Sequence, residues 1–207
     1  YWDLYGKDGH PVRTTVSEMG PLLLARILDL NETQTGILSM LFRYADDNQL
    51  LLIDIADLIA LITYALENIA AIKGKYGNMT PASLGAIQRA ILTLEEQGGD
   101  LFFGEPSLEL DDIMSVHDGK GTINLLAARS LIKSPKIYST FLLWLLSELY
   151  DDLPEVGDLE KPKFLLFFDE AHLLFSDIPK VLEEKIIQIV RLIRSKGVGV
   201  YFITQNP

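Results

Sequence analysis

Residues 164–170 read Phe-Leu-Leu-Phe-Phe-Asp-Glu, five bulky apolar residues running into two adjacent carboxylates, Asp169 and Glu170. Such a pair can divide the work of hydrolysing a nucleotide. One acid holds a hydrated Mg²⁺ while its neighbour polarises a water for attack on the γ-phosphate. A second polar pair, Thr204-Gln205, follows another apolar run. An amide side chain there can hydrogen-bond both an attacking water and a phosphate oxygen, and so register whether the terminal phosphate is present. Between the two pairs lie Arg191 and Arg194, near the end of an amphipathic segment. A helix-end arginine can neutralise charge on a transferring phosphoryl group in a neighbour's site. The same position also suits a solvated cation favoured by the helix dipole.

The surrounding pattern places these residues. Five apolar residues in a row predict a strand covered on both faces, inside a parallel sheet. Its carboxylates then emerge at the C-terminal edge, where open α/β sheets hold ligands. Residues 116–207 alternate strand and helix, with a first strand over 122–127. Ser134-Pro135 opens a helix reaching about Tyr150 by the cap-then-proline pattern. An acidic loop over 151–162 precedes the 164–168 strand. A helix from about Pro179 to Lys196 follows, with an apolar stripe of Leu182, Ile186, Ile189, Val190 and Ile193, and Gly197 stops it. The last strand covers 198–204. Two consecutive βαβ units predict parallel strands with right-handed crossovers.

Upstream the pattern changes. Residues 1–19 predict an N-terminal hairpin of the core, with extended pieces over 2–5 and 12–15 around Gly6-Lys7-Asp8-Gly9. Residues 20–115 read as a helical insertion. Pro21 suits a first helical position and Thr33 a cap. Asp54 or Asp57 begins a third helix with Leu58, Ile59, Ile62, Leu66, Ile69 and Ala70 along one stripe. Thr80-Pro81 opens a fourth, which Gly98-Gly99 ends. The expected fold class is therefore α/β, with parallel strands and a mostly α-helical insertion.

The 207-residue length allows a substantial core. A formal charge of −11 argues against a broad basic surface that would hold nucleic acid phosphates unaided, and leaves room for a narrow basic groove or a pore built from several subunits. With no cysteine, disulfides and thiolate metal sites are excluded. The most apolar stretch, 55–72, is interrupted by Asp57 and Glu67, so no membrane span is expected. The opening Tyr1-Trp2-Asp3 lacks an initiator Met and predicts an excerpt of a longer cytoplasmic protein. His117 near Asp111 and Asp112, and His172 near Asp169, fall short of metal-ligand spacing, and His172 reads as a residue of a structural turn. A phosphate-cradling loop needs Gly-x-x-x-x-Gly-Lys-Ser/Thr. Gly6-Lys7-Asp8, Gly74-Lys75-Tyr76 and Gly119-Lys120-Gly121 all fail that pattern. Only half of an ATPase site is present in the chain.

The block Phe-Phe-Asp-Glu-Ala-His-Leu-Leu-Phe has the form of a Walker B element. Together with Val-Arg-Leu-Ile-Arg-Ser-Lys-Gly-Val-Gly-Val-Tyr-Phe-Ile-Thr-Gln-Asn-Pro, it resembles the HerA-like helicase family within the FtsK/HerA class of P-loop motors. The opening Trp-Asp-Leu-Tyr-Gly-Lys-Asp-Gly-His-Pro-Val-Arg-Thr-Thr-Val-Ser-Glu-Met-Gly-Pro-Leu-Leu-Leu is similar to the segment after the P-loop helix in the same proteins. The resemblance spans almost the whole chain. It implies an incomplete RecA-like core, ATP and Mg²⁺ as cofactors, a hexameric homo-oligomer, and translocation on DNA. By position, Asp169 matches the Mg²⁺-associated acid and Glu170 the water-activating base. Gln205 matches the polar sensor following Thr204, and Arg194 a trans-acting arginine. The missing Walker A segment implies that the chain alone does not hydrolyse ATP. The alternative is an ATPase-like assembly module that does not act on DNA and binds a protein partner through its helical insertion.

Overall fold

The computed structural model describes residues 1–127, 134–157, 159–172 and 180–204. The fold is mixed α/β and mostly helical, with short paired strands. It divides into two compact units, one made of Tyr1–His10 with Leu108–Pro207, the other of Pro11–Ser107.

In the first unit, β1 (Trp2–Asp3) pairs with β2 (His10–Pro11). Asp3 is buried, and its carboxylate accepts backbone N–H bonds from Tyr5, Lys7 and Asp8 at 3.1, 2.8 and 3.0 Å, which closes the connecting turn. The second strand was expected at 12–15 and lies earlier, because Thr15 starts a helix instead. Thr14 makes an isolated parallel bridge to Phe103 within the helical unit.

The helical unit is built from strongly capped segments. Helix α1 (Val16–Ile27) begins on a capping box, and Gly20, at φ 69°, breaks it so that Pro21 opens its second half. Helix α2 (Glu32–Asp47) is capped by Asn31 with Gln34, two residues ahead of the expected Thr33. Helix α3 (Ile55–Glu67) starts on the Asp54/Asp57 box. The apolar run beyond it turns by 98° at Asn68 into α4 (Ile69–Tyr76). The expected single stripe is therefore split. Ile55, Leu58, Leu61, Ile62 and Ala65 are buried from α3, and only Ile72 from α4. Helix α5 (Pro81–Leu94) has Thr80 as its cap and runs into a wide π turn, Glu95–Gly99, where Gly98 sits at φ 100°. A short α6 (Asp100–Phe102) buries Phe102 completely. Leu38, Leu41, Ile62, Leu84 and Ile87 form the centre of this core, each burial being worth about 1.5–3 kcal/mol.

Glu18 is the busiest carboxylate of the helical unit. It accepts from the Thr15 backbone at 2.9 Å, from Thr14 Oγ1 at 3.2 Å and from Ser107 Oγ at 3.1 Å. Partial burial pushes its carboxyl up, but these hydrogen bonds outweigh that and hold it below the usual range. A carboxyl whose pKa is lower when folded contributes stability above the unfolded value of about 4.3, and loses it as pH falls through the folded value. Glu18→Gln is therefore expected to lower stability at pH 7 by less than about 1 kcal/mol, solvent screening at this exposed residue reducing the effect, and to weaken the acid dependence of stability below about pH 4.5. Urea unfolding of both proteins from pH 7 to pH 3 checks this; parallel curves would contradict it.

In the first unit the chain continues through α7 (Leu110–Ile113) and a ribbon of β3 (Val116–His117) with β4 (Lys120–Gly121). Residues 122–127, expected to be a sheet strand, instead meet Trp2. Its N–H donates to the Leu125 carbonyl at 2.8 Å, and Ala127 N–H donates back to the Trp2 carbonyl at 2.8 Å. Leu126 and Trp2 form a parallel bridge there, and the predicted first βαβ unit is absent among the described residues. Helix α8 (Pro135–Asp152) is buried on nearly every side over Ile137, Phe141, Leu142, Leu143, Leu145, Leu146 and Leu149, as suits a central helix. It packs against α9 (Lys180–Leu192). Buried Ile186, Ile189 and, just beyond the helix, Ile193 bear out the expected stripe; Val190 is half-buried, and the Leu182 side chain lies outside those described.

Strand β5 (Phe164–Phe168) pairs in parallel with β6 (Val198–Phe202), in register from Phe164 opposite Val198 to Phe168 opposite Phe202. Of the parallel arrangement expected, this one pair is present among the described residues. The strand is not covered on both sides, as its composition predicted. Side chains alternate along an extended chain. Phe164, Leu166 and Phe168 are half-buried, while Leu165 and Phe167 on the other side are 42% and 62% exposed. Phe167 stacks on Tyr201 with ring centroids 5.0 Å apart.

Candidate functional site

The parallel β5–α9–β6 arrangement dictates where the polar residues fall. Two parallel strands end at the same edge, so Asp169 and Glu170 after β5 lie beside Ile203 and Thr204 after β6. Backbone hydrogen bonds carry the ladder past the strand ends and fix this proximity. Ile203 N–H donates to the Phe168 carbonyl at 2.8 Å, and Ala171 N–H donates to the Ile203 carbonyl at 2.9 Å.

The turn itself is tight. Glu170 adopts φ 50°, a left-handed conformation that costs a residue with a side chain about 1–2 kcal/mol. Its N–H donates to Asp169 Oδ1 at 3.0 Å, and Ala171 is buried directly after it. Asp169 is exposed and Glu170 half-buried at the sheet edge. Strain of this kind persists where neighbouring contacts hold it, and it concentrates at functional sites.

His172 supplies a contact that the spacing of residues did not reveal. Its Nδ1 lies 3.4 Å from Glu170 Oε2 and 3.4 Å from Thr204 Oγ1. The sequence placed this histidine on a structural turn. The structure places it between the acid and the end of the neighbouring strand, a partner 32 positions away in the chain.

Gln205, the expected sensor, lies outside the described residues, one position beyond Thr204. Arg194 lies far from the acids. It sits in a 3₁₀ turn, Ile193–Lys196, that leads into β6, so it occupies the N-terminal edge of the strands, the opposite rim from Asp169. Roughly 20 Å of extended chain separates Gly197 from Thr204 at about 3.3 Å per residue. Arg191, one turn earlier, is exposed on α9.

The 3₁₀ turn is well anchored. Val156 N–H donates to the Ser195 carbonyl at 2.9 Å, Lys163 N–H to the Gly197 carbonyl at 2.7 Å, and Lys196 Nζ lies 3.3 Å from Glu155 Oε1. A hydrogen bond from Ser195, joined by Lys196, holds the Glu155 carboxyl below its usual range. Gly197 has φ 78°, a conformation strained for any residue with a side chain, and a Cβ there would also press on Val156 Cγ2 at 3.1 Å. Arg194 is thus presented by a defined turn.

Among the described residues, no group of three or more His, Asp or Glu side chains could hold a metal by itself. His117 and Asp111/Asp112 do not form one. One exposed carboxylate at the edge suits Mg²⁺, which keeps several waters and binds through one or two carboxylates plus substrate phosphates. No single helix among these residues is long and apolar enough to cross a membrane; only the bent α3–α4 pair passes by length and composition together.

The family model described as Helicase HerA-like C-terminal matches residues 1–207. No curated protein and no solved structure matches the chain. A whole-length match, on a chain whose Asp-Glu turn and Thr204 share one edge of a parallel strand pair, identifies the family: this chain belongs to the helicase HerA-like C-terminal proteins.

Proposed function

We propose that this chain is the acid-and-sensor half of the nucleotide site in an ATP-driven, DNA-directed motor. On this reading β5 and β6 are part of a RecA-like core, residues 20–115 are an insertion in it, and the working form is a homo-oligomer, hexameric by family resemblance. The observation that carries the reading is the meeting of Asp169-Glu170 with Thr204 at one edge of a parallel strand pair, in a HerA-like chain.

Each residue has a role its position allows. Asp169, exposed at the edge, holds a hydrated cation through its carboxylate. Glu170 orients a water and takes up its proton. Thr204 and Gln205 contribute polar groups on the other side of that water. Arg194, on the opposite rim, serves a neighbouring subunit. When bound, magnesium nucleotide supplies the phosphoryl group and part of the charge neutralisation. The donor set here fits that role only in part: it offers acids and a sensor strand, and no phosphate cradle.

The test is ATP hydrolysis by the full-length protein with and without duplex DNA. Stimulation by DNA is expected, with a steep loss at raised salt, since contacts to phosphates release counterions. Hydrolysis indifferent to DNA would favour the alternative, an ATPase-like assembly module with a protein partner, toward which the −11 charge leans.

A further inference from the structure

We infer that His172 is a positioning residue that ties the Glu170 carboxylate to the Thr204 end of β6, so that the acid and the sensor strand move as one unit. This rests on the assignment of Glu170 as the water-activating base.

The argument begins with one nitrogen between two oxygens. His172 Nδ1 is 3.4 Å from Glu170 Oε2 and 3.4 Å from Thr204 Oγ1. An ionised carboxylate only accepts hydrogen bonds. A bare Nδ1 would face Glu170 lone pair to lone pair, so the geometry calls for a proton on Nδ1, shared between the carboxylate and the hydroxyl. Both distances are long for hydrogen bonds, as contacts at a catalytic edge often are before substrate closes the site.

The backbone makes the link rigid. Ala171, between Glu170 and His172, donates its N–H to Ile203, the residue before Thr204. The turn is therefore fastened to β6 twice, through the Ala171 main chain and through the His172 ring. Glu170 at φ 50° depends on such fastening to hold its strained turn in place. A displacement of Thr204 when a terminal phosphate leaves would pull on His172 and turn Glu170 with it.

The experiment uses full-length protein with His172→Leu, His172→Asn and Glu170→Gln. Asparagine places a polar atom near the position of Nδ1, whereas leucine fills the space without one. His172→Leu is expected to lower kcat for ATP by tenfold to a hundredfold, on the order of what a 1 Å misplacement of a reacting group costs, with KM little changed. Without nucleotide, hydrogen exchange should quicken in peptides covering 168–172 and 203–204. His172→Asn should recover most of both. Wild-type kcat and exchange in His172→Leu would overturn the inference, as would an Asn variant as impaired as the Leu variant. Glu170→Gln separates the two levels. If it hydrolyses ATP normally, the functional reading itself fails; if it is inactive while His172→Leu is normal, only the tether fails.

Discussion

Full-length protein carrying Glu170→Gln is expected to bind ATP with near-normal affinity and to lose turnover by about 10²–10⁴-fold, the range typical of removing a general base. The substitution keeps the shape of the side chain, and an amide oxygen can sit against His172 Nδ1 as the carboxylate oxygen does at 3.4 Å. It removes only the ability to take up a proton. The backbone strain at φ 50° is unchanged, because glutamine carries the same Cβ. Loss of kcat without loss of binding therefore reports chemistry and not folding. Single-turnover hydrolysis and nucleotide binding, measured side by side, decide it. An unchanged single-turnover rate would remove Glu170 from the mechanism.

Local signals in this chain were legible and distant ones were not. Asp54 and Thr80-Pro81 begin α3 and α5 as their side chains predict, because a cap is satisfied within three residues. The misplaced start of α2 has the same origin. Asn31 and Thr33 are both good caps, and the Gln34 side chain, bonded back to the Asn31 N–H at 3.1 Å, decides between them. The break at Asn68 was hidden because the apolar residues on both sides continue one plausible stripe. There the Asn68 side chain hydrogen-bonds the Tyr64 carbonyl at 2.9 Å, closing α3.

At the candidate site the parallel pairing followed from the order of strand and helix alone, and it set Thr204 beside the acids. Whether β5 has cover on its second face depends on what lies above it, and Phe167 at 62% exposure shows that composition cannot supply that. The contact of His172 with Thr204 was hidden for a related reason: no local spacing encodes a partner 32 positions away.

The same strand order decides how Arg194 can act. Parallel strands place the helix end that carries it on the rim opposite Asp169 and Glu170, so within one chain it cannot act at the edge where those acids lie. If it contributes to hydrolysis it does so across a subunit boundary, in a head-to-tail ring where each subunit lends its arginine to the next. Arg194→Ala is then expected to reduce turnover by about 10³-fold or more, with Arg194→Lys recovering little, because a point charge does not replace the planar fork. Mixing supplies the sharper test. Arg194→Ala and Glu170→Gln proteins are each inactive alone, but co-assembled rings contain interfaces with an intact Glu170 from one parent and an intact Arg194 from the other. Random head-to-tail assembly of equal amounts makes roughly a quarter of interfaces competent, so activity should reappear at a substantial fraction of wild type. An arginine working within its own subunit gives no competent interface in any mixture. Mixed rings as inactive as their parents would therefore rule out the role across the boundary, and wild-type turnover by Arg194→Ala alone would assign Arg194 to the solvated helix end that the macrodipole already favours.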